Sequence, residues 1–457
     1  MKLNSKASII AGIYVLILSV LIYFIGYETP RESFYQFFFL FLLSFGLFYA
    51  VYLNRQEWNF KLFFGIAIFL RVILLFAVPE LSNDFYRFIW DGELINQGIN
   101  PYALVPNDLI VQGPIYSNPY MRLLYHGMGE LSQANYSCYP ALNQFLFYIP
   151  TKFFDSIEAN VISFKLMLIM ADIGIIVVGK KILDHLKKPA HLIWLFALNP
   201  FVILEFSGNV HFEGVMIFFI LLSIYLVLKN NWVFAAVFFG MAVLIKLIPL
   251  MLLPFLFKRL KVVPSIGFTA LTAIVVILMS MILLDEVLLS NMMQSINLYF
   301  ETFEFNSSLI FLLREYSFTT VGYNELTYYG PLLSNIAAVL ILLLALFKAY
   351  KTEQYIFTGM LFALTIYYIC ATTVHPWYIS MVLIFSIFTH YRFGLIWSLM
   401  IMLSYFAYSQ TDFKENMLFI AIEYGLLIIV ILYEVFRYTK KDNFGLGLKE
   451  FFKIGNE

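Results

Sequence analysis

Runs of about 20 apolar residues recur along the chain between residues 8 and 437, and they restrict its fold more than any other feature. Each run is long enough to cross roughly 30 Å of hydrocarbon as a helix. Because 61% of the residues are hydrophobic and only 13% are charged, the chain cannot present a wetted surface over most of its area. We therefore predict an all-α integral membrane protein in which residues 1–437 form one transmembrane domain.

The apolar runs predict a bundle of about twelve full spans together with short broken helices. The predicted spans are 8–26, 33–53, 60–79, 160–180, 190–206, 212–229, 262–284, 331–350, 354–371, 377–390, 393–409 and 417–437. The stretch 231–257 is too long for one crossing and is interrupted at Lys246 and Pro249, which predicts two short helices running down and back. The stretch 139–155 is predicted to lie at the membrane interface. The first run lacks a small-residue cleavage site, which predicts a retained helix.

The placement of the basic residues predicts the orientation of the bundle. With both termini in the cytoplasm, most of the 29 lysines and arginines fall on the cytoplasmic side, as the positive-inside rule requires. Residues 438–457 then form a cytoplasmic tail. A large loop after the third span, 80–138, and a second loop, 285–330, face outward. The turns 205–214 and 372–378 lie at the same outer surface.

The polar segments of the chain thus collect at one face of the membrane. A transporter would be expected to carry ionisable residues near the midplane and to show two similar halves. The sequence shows no such repeat. We therefore interpret the four outer segments as a site built at one membrane surface.

Five motifs occur in a fixed order between residues 60 and 380: SNDFYRFIWDGELINQGINPY, YPALNQ, NPFVILEFSGNVHFEG, FFGMAVLIKLIPLMLLP and HPWY. In this order they resemble the C-type (GT-C) glycosyltransferases, and most closely the bacterial polyprenyl-phosphate-mannose-dependent mannosyltransferases. Each motif alone is weak, so the ordered set carries the resemblance. The resemblance implies a many-helix enzyme of the bacterial plasma membrane with its active site at the outer leaflet.

The resemblance also implies a reaction and its partners. An enzyme of this kind moves a hexose, here mannose, from a polyprenyl-phosphate carrier to a hydroxyl of a lipid-linked or envelope glycan, with inversion. Nucleotide sugars are absent outside the cell, so a donor held in the membrane suits an outer site. The implied partners are the polyprenyl-phosphate sugar donor, a glycan or glycolipid acceptor and membrane lipids, with no nucleic acid.

Asp84 is predicted to be the general base, since the acceptor hydroxyl must lose a proton as it attacks the anomeric carbon. It follows the third span directly, where the resemblance places the acid of the family. The family often carries two adjacent acids there, whereas this chain has Asn83 beside Asp84. A lone carboxylate is a poor divalent site, so no metal site or other cofactor is predicted and a divalent-cation requirement is left open. The structural alternative is that Asp84 caps a helix.

A further group of residues is predicted to bind the substrates. It comprises Arg87, Trp90, Asp91, Asn209, His211, Glu213, Lys246, His375 and Trp377. Arg87, Lys246 and His375 are assigned to the leaving phosphate, because developing charge is what most needs electrostatic stabilisation. Trp90 is assigned to stack on a sugar ring. His211 and Glu213 begin a membrane helix, where ionisable residues are expensive and therefore favour a functional role.

Several of these assignments have a structural alternative. Asp91 could pair with Arg87, which lies four residues earlier on the same helix face. Lys246 could pair with an internal carboxylate, and His211 could belong to a structural hydrogen-bond network. Trp377 could belong to an aromatic belt at the membrane surface.

Two other classes of function stay open from the sequence. A flippase or transporter of lipid-linked oligosaccharides would need cations lining a cavity that opens to both sides, and the charge distribution argues against it. An oligosaccharide ligase would also work at the outer leaflet. It would typically rely on a large outer loop late in the chain, whereas the dominant loop here is early.

Overall fold

The computed structural model describes residues 5–54, 59–283, 285–347, 352–410 and 413–442. Within these ranges the chain is helical and forms no β-strand, and an isolated bridge joins Phe305 to Thr373. The predicted all-α class is therefore confirmed. Most of the predicted cytoplasmic tail, 438–457, lies outside the described residues.

The helices are numbered here in chain order. The helices of the first half are α1 (Ser5–Tyr27), α2 (Phe34–Leu53), α3 (Phe60–Ile73), α4 (Asp84–Asn96), α5 (Pro106–Ile110), α6 (Gly113–Ser117), α7 (Pro119–Gly127), α8 (Gly129–Gln133), α9 (Ala141–Thr151), α10 (Ile157–His185), α11 (Trp194–Ala197) and α12 (Pro200–Val202). Those of the second half are α13 (Glu213–Leu228), α14 (Trp232–Ile245), α15 (Leu253–Leu260), α16 (Val262–Ser280), α17 (Glu286–Glu301), α18 (Leu309–Thr320), α19 (Leu326–Phe347), α20 (Gln354–Cys370), α21 (Ile379–Ile387), α22 (Phe393–Met400) and α23 (Met417–Asp442). Tighter 3-10 turns occur at Ala190–Ile193, Ile248–Leu252, Pro376–Tyr378 and Ile401–Ser409, and a π-helical turn occurs at Ile203–Gly208.

Several helices are long and apolar enough to cross a membrane, which makes the chain a multi-pass membrane protein. In the described part of the chain they are Phe34–Leu53, Ile157–His185, Val262–Ser280, Leu326–Phe347 and Met417–Tyr438. A sixth span results if Ala190–Ala197 and Pro200–Gly208, bent by 52°, are taken as one. Shorter apolar helices, such as Glu213–Leu228 and Gln354–Cys370, accompany them. The count of twelve full spans stays a prediction.

The third helix ends earlier than the apolar run 60–79 suggested. α3 stops at Ile73, and Lys165 of α10 donates hydrogen bonds to the carbonyl oxygens of Leu74 (2.7 Å) and Ala77 (2.6 Å). Carbonyl groups at a helix end lack donors within the helix. The buried ammonium group supplies those donors, so the helix can end inside the bundle.

A buried ion pair joins three helices of the same region. Arg71 of α3 pairs with Asp172 of α10, and both side chains are almost fully buried. Arg71 also donates to the carbonyl oxygen of Ala197 (2.8 Å), the last residue of α11. The pair therefore fixes α3, which leads directly into the segment that contains Asp84.

The predicted interruption of the stretch 231–257 is confirmed. α14 ends at Ile245, and Lys246 adopts an extended backbone conformation with φ −157° and ψ 144°. A 3-10 turn follows and contains Pro249, which has no N–H to continue the helical hydrogen bonds. The break leaves Lys246 outside regular helix.

The predicted outer loops are themselves helical. The loop 80–138 contains α4 to α8, and the loop 285–330 contains α17 and α18. α4 lies against α9 at Gly92, where an added Cβ would come within 2.6 Å of the carbonyl oxygen of Phe147. This close approach requires glycine. It holds α4, and with it Asp84, against the bundle.

Candidate active site

Asp84 is the first residue of α4, and its side chain is 31% exposed. The N-cap position belongs to Asn83, whose side chain donates to the carbonyl oxygen of Gly127 (3.2 Å). The backbone N–H of Asp84 donates to Ser82 Oγ (3.3 Å). Asp84 thus stands one residue inside the helix rather than at its cap, and its carboxylate faces the partners described next.

His211 lies beside Asp84 and between two carboxylates. Its Nε2 is 3.9 Å from Asp84 Oδ2 and 3.3 Å from Ser82 Oγ, and its Nδ1 is 2.9 Å from Glu205 Oε2. The preceding Val210 has φ 65°, which is rare for a β-branched residue. Backbone strain of this kind persists where the surroundings hold it, and it is concentrated at functional sites. Here the strained residue directly precedes His211, whose imidazole ring lies between the two carboxylates.

Glu205 is fully buried and anchors the other side of His211. Tyr405 OH donates to Oε1 (2.8 Å), and Asn209 Nδ2 lies 3.4 Å from Oε2 and 3.1 Å from Tyr405 OH. A buried carboxylate is tolerated when hydrogen bonds replace its water. When His211 Nδ1 carries a proton it donates to Glu205, which fixes the orientation of the ring and leaves Nε2 facing Asp84.

A column of stacked rings stands against His211. The ring of Trp377 lies 3.6 Å from that of His211 and 4.5 Å from that of His375, centroid to centroid, and Phe305 stacks on His375 at 4.7 Å. Tyr408 OH lies 3.5 Å from His375 Nδ1. Trp377 is buried, so it packs inside the protein rather than in an aromatic belt.

Lys246 and Glu213 form an ion pair at the same site. Lys246 Nζ donates to Glu213 Oε1 and lies 3.9 Å from the ring centroid of Tyr378. The Lys246 side chain is about a third exposed, whereas that of Glu213 is buried. The structure thus shows the internal carboxylate that the sequence offered as an alternative partner for Lys246.

The surroundings raise the pKa of Asp84 above the ordinary value of an aspartate. Removal of water from around the carboxyl group is the main cause, and the negative charge of Glu213 adds to it. Positive charge at His211, Lys246 and Arg31 opposes the rise. Asp84 is therefore a stronger base than a free aspartate while it can still ionise.

His375 is held neutral by its surroundings. Burial lowers its pKa well below the ordinary histidine value, and the positive charges of Lys246 and His211 lower it further. At neutral pH His375 can donate a hydrogen bond but adds no positive charge.

Arg87 and Asp91 bond to each other. Arg87 Nε donates to Asp91 Oδ1 (2.7 Å), which is the i, i+4 pair named as the alternative from the sequence. Arg87 Nη1 also donates to Ser132 O (2.6 Å) and Asn135 O (3.0 Å). Asp91 Oδ2 accepts from Ser137 Oγ (2.5 Å) and Gln144 Nε2 (2.9 Å). The pair therefore holds the end of α8, the segment after it and the start of α9 against α4.

Trp90 also packs inside the protein. Its side chain is fully buried, and its ring lies 6.3 Å from that of Tyr125. Neither Trp90 nor the Arg87–Asp91 pair contacts Asp84 in the described hydrogen bonds and ring contacts. The roles of Arg87, Trp90 and Asp91 in substrate binding stay predictions.

Several residues of the site were not identified from the sequence. They are Arg31, Ser82, Phe305, Tyr405 and Tyr408. Ser82 stands in the first motif, where its neighbour Asp84 drew the assignment. The others lie outside the motifs, and the chain holds 31 tyrosines and 50 phenylalanines that nothing in the sequence distinguishes.

The described residues contain no group of three or more His, Cys, Asp or Glu side chains that could hold a metal ion. Near Asp84, position 83 carries an amide that bonds to a backbone carbonyl.

Residues 40–260, which contain Asp84, Glu205, His211 and Lys246, match the family described as Alpha-(1->6)-mannopyranosyltransferase, N-terminal domain. The predicted resemblance to GT-C mannosyltransferases is thereby confirmed for the region that builds most of the site. Of the residues that complete the site, Trp377, His375 and Tyr405 lie beyond the matched part, and Arg31 precedes it.

Two curated relatives are similar to part of the chain. Alpha-(1->6)-mannopyranosyltransferase A of Corynebacterium glutamicum is 26% identical over 196 residues, which cover 40% of this chain and 36% of the relative. The protein of the same name from Mycobacterium tuberculosis is 25% identical over 186 residues, which cover 40% of this chain and 34% of the relative. The match thus spans about a third of the length of each relative. No solved structure matches the chain significantly.

Proposed function

We propose that the protein is an integral membrane mannosyltransferase that moves mannose from a polyprenyl-phosphate carrier to a hydroxyl of a lipid-linked or envelope glycan. The family match and the names of both relatives support the class of reaction. The observation that carries the proposal is the partly exposed carboxylate of Asp84 beside the buried His211–Glu205 pair. The basic residues favour a site at the outer face of a bacterial plasma membrane, with both termini cytoplasmic.

In this mechanism Asp84 accepts the proton of the acceptor hydroxyl. The hydroxyl oxygen forms a bond to the anomeric carbon as the bond from that carbon to the phosphate oxygen breaks. The bonding electrons leave with the polyprenyl phosphate, and one displacement inverts the anomeric configuration. The raised pKa of Asp84 favours this role, because a base is most effective when its pKa approaches the working pH.

His211 and Glu205 position and tune the base. Glu205 fixes His211 through Nδ1, and Trp377 limits the ring to one plane by stacking against it. A protonated His211 with its Nε2 3.9 Å from Asp84 favours the ionised carboxylate. Asn209 completes the hydrogen bonds of Glu205.

Glu213, Lys246 and His375 are proposed to face the substrates. Lys246 is partly exposed, and Glu213 balances its charge while no anionic substrate is bound. His375, held neutral, can donate one hydrogen bond to a phosphate or sugar oxygen. The aromatic column that includes Trp377 forms one wall of the site.

The direct test is transfer of radiolabel from polyprenyl-phosphate mannose to membrane acceptors by the purified full chain. Transfer from the mannose carrier would support the proposal. Transfer from a glucose carrier alone would show that the transferred sugar is glucose rather than mannose. Movement of a lipid-linked oligosaccharide across vesicles without bond formation would identify a flippase. Transfer of a preassembled glycan would identify a ligase.

The pH dependence of transfer should report the charges around Asp84. Because the base must be ionised, kcat/KM should rise with pH through the raised pKa of Asp84, above the ordinary value of 3.8. Lys246→Gln removes a charge that lowers this pKa and frees Glu213, which raises it, so the midpoint should move to higher pH. A pH–rate profile measures the shift. Arg122→Gln, at an exposed arginine of α7, should leave the midpoint in place.

Tyr405→Phe should slow transfer without weakening donor binding. The change removes the hydroxyl that donates to Glu205 (2.8 Å), which loosens the anchor of His211. A hydrogen bond to a charged group contributes about 1.5–3 kcal/mol, so a fall in kcat of about 10- to 100-fold is expected. Initial-rate kinetics should show the fall in kcat with the donor KM unchanged. The exposed Tyr323→Phe is the control, and a rise in KM alone would contradict the positioning role.

A further inference from the structure

A donor that carries a phosphate needs a positively charged residue at the site. Of the three residues assigned to that role from the sequence, two are paired with carboxylates and one is neutral. Arg87 bonds to Asp91 and to two backbone carbonyls. Lys246 pairs with Glu213. Burial keeps His375 neutral. A cation without an internal counterion would complete such a phosphate site.

Arg31 lies in the short connection between α1 and α2, beside the part of the site that Tyr408 and His375 form. Its guanidinium carbon is 4.3 Å from the ring centroid of Tyr408. Tyr408 in turn places its hydroxyl 3.5 Å from His375 Nδ1, and its ring centroid lies 5.2 Å from that of Phe305. The positive charge of Arg31 also acts to lower the pKa of Asp84. Arg31 thus contacts Tyr408 beside the aromatic column and lies within electrostatic range of the proposed base.

Arg31 has no counterion among the described residues. No carboxylate lies within ion-pair distance of its guanidinium group in that part of the chain, and its Nε is buried without a hydrogen-bond partner. A buried N–H that forms no bond is unfavourable, so a site of this kind suits an added acceptor. Two hydrogen bonds hold the connection between α1 and α2. Thr29 Oγ1 donates to Phe24 O (2.9 Å), and Ser33 N donates to Pro30 O (2.9 Å).

We propose that Arg31 binds the phosphate of the lipid-linked donor, with its flat face on Tyr408 and its N–H edge on two phosphate oxygens. A guanidinium group stacked on an aromatic ring keeps its donors in one plane, and that plane matches the paired oxygens of a phosphate ester. The assignment rests on the proposed function and names the donor subsite within it. The leaving phosphate then departs between Arg31 and His375, on the side of the aromatic column.

The test measures binding by the full chain in lipid nanodiscs, with polyprenyl phosphate and the uncharged polyprenol as probes. Arg31→Gln should weaken polyprenyl phosphate binding about 10- to 100-fold, the range expected for hydrogen bonds to a charged group. Polyprenol binding should not change. Arg31→Lys should keep part of the affinity, because it retains the charge but loses the paired geometry. Arg122→Gln is the matched control, since that arginine also lies over a tyrosine ring, Tyr116, at 5.8 Å.

The outcomes separate the subsite from the function. Equal affinity of wild type and Arg31→Gln for polyprenyl phosphate, with mannosyl transfer intact, would overturn the role of Arg31 and leave the proposed function standing. A wild type that binds polyprenyl phosphate no better than polyprenol would overturn both. Displacement of polyprenyl phosphate by an equal amount of phosphatidylglycerol would assign the arginine to bulk lipid headgroups and overturn the donor subsite. If Arg31→Gln fails to fold, an Arg31→Lys variant that matches wild type with both probes would also overturn the proposal.

Discussion

Asp84→Asn should lower mannosyl transfer by about 10²- to 10⁴-fold, the usual contribution of a general base. The amide keeps the size of the side chain but cannot accept the proton of the acceptor hydroxyl. The backbone N–H of residue 84 would still donate to Ser82 Oγ and the new amide would still face His211, so the helix start and the donor subsite should survive. Radiolabel transfer at saturating donor measures the loss, and a polyprenyl phosphate binding assay should show unchanged affinity.

The control for Asp84→Asn is Asp108→Asn, which changes another acid in the first turn of an outer-loop helix. Asp108 lies at an exposed position of α5, away from the described contacts of His211. It should retain full transfer. Unchanged transfer by Asp84→Asn would remove Asp84 as the base and turn attention to Glu213, another carboxylate of the site. Loss of transfer together with loss of donor binding would make Asp84 a binding residue.

The part of the site that the sequence predicted is the part that lies within motifs. Asp84, His211 and Trp377 belong to three motifs that are far apart in the chain, and the structure brings their side chains together. Ionisable residues beside long apolar runs are expensive, so Asp84 and His211 stood out against their surroundings. The break at Lys246 was predictable for the same reason, together with a proline three residues later.

The rest of the site depends on pairing that the sequence does not encode locally. Arg87 is on the same helix as Asp84, yet its bonds go to Asp91 and to backbone carbonyls at the end of α8 and just after it, which only the packing of that region decides. Tyr405 reaches Glu205 from a 3-10 turn late in the chain, across 200 positions. Hydropathy alone marks such a turn as a span and says nothing of which side chain it presents.

Helix ends were also beyond the sequence pattern, because buried charges set them. The run 60–79 is uniformly apolar around Arg71, but α3 stops at Ile73 where Lys165 takes over its carbonyl groups. Arg71 lies inside the predicted span 60–79, and Lys165 lies inside the predicted span 160–180. In the structure both are buried and bonded across helices, so they build the bundle rather than marking its surface.

Asp172→Asn should destabilise the bundle by about 3–5 kcal/mol, because it leaves the buried Arg71 without its counterion. Replacing both partners, as Arg71→Met with Asp172→Leu, removes the buried charges together and should recover much of the loss. The free energy of unfolding in detergent, or the midpoint of thermal unfolding, measures each step. The double variant still lacks the bond from Arg71 to the Ala197 carbonyl, so recovery should be incomplete.

The helix that carries Asp172 supplies its own control. Lys180 and Asp184 form an i, i+4 pair at 2.6 Å on α10, with side chains 38% and 50% exposed. Exposed pairs of this kind contribute about 0.3–0.5 kcal/mol, so Asp184→Asn should barely change the unfolding midpoint. Equal effects of Asp172→Asn and Asp184→Asn would contradict the buried pair as the link between α3 and α10. A large effect of Asp172→Asn alone would show that the contact holding α3, and through it the segment of Asp84, is electrostatic.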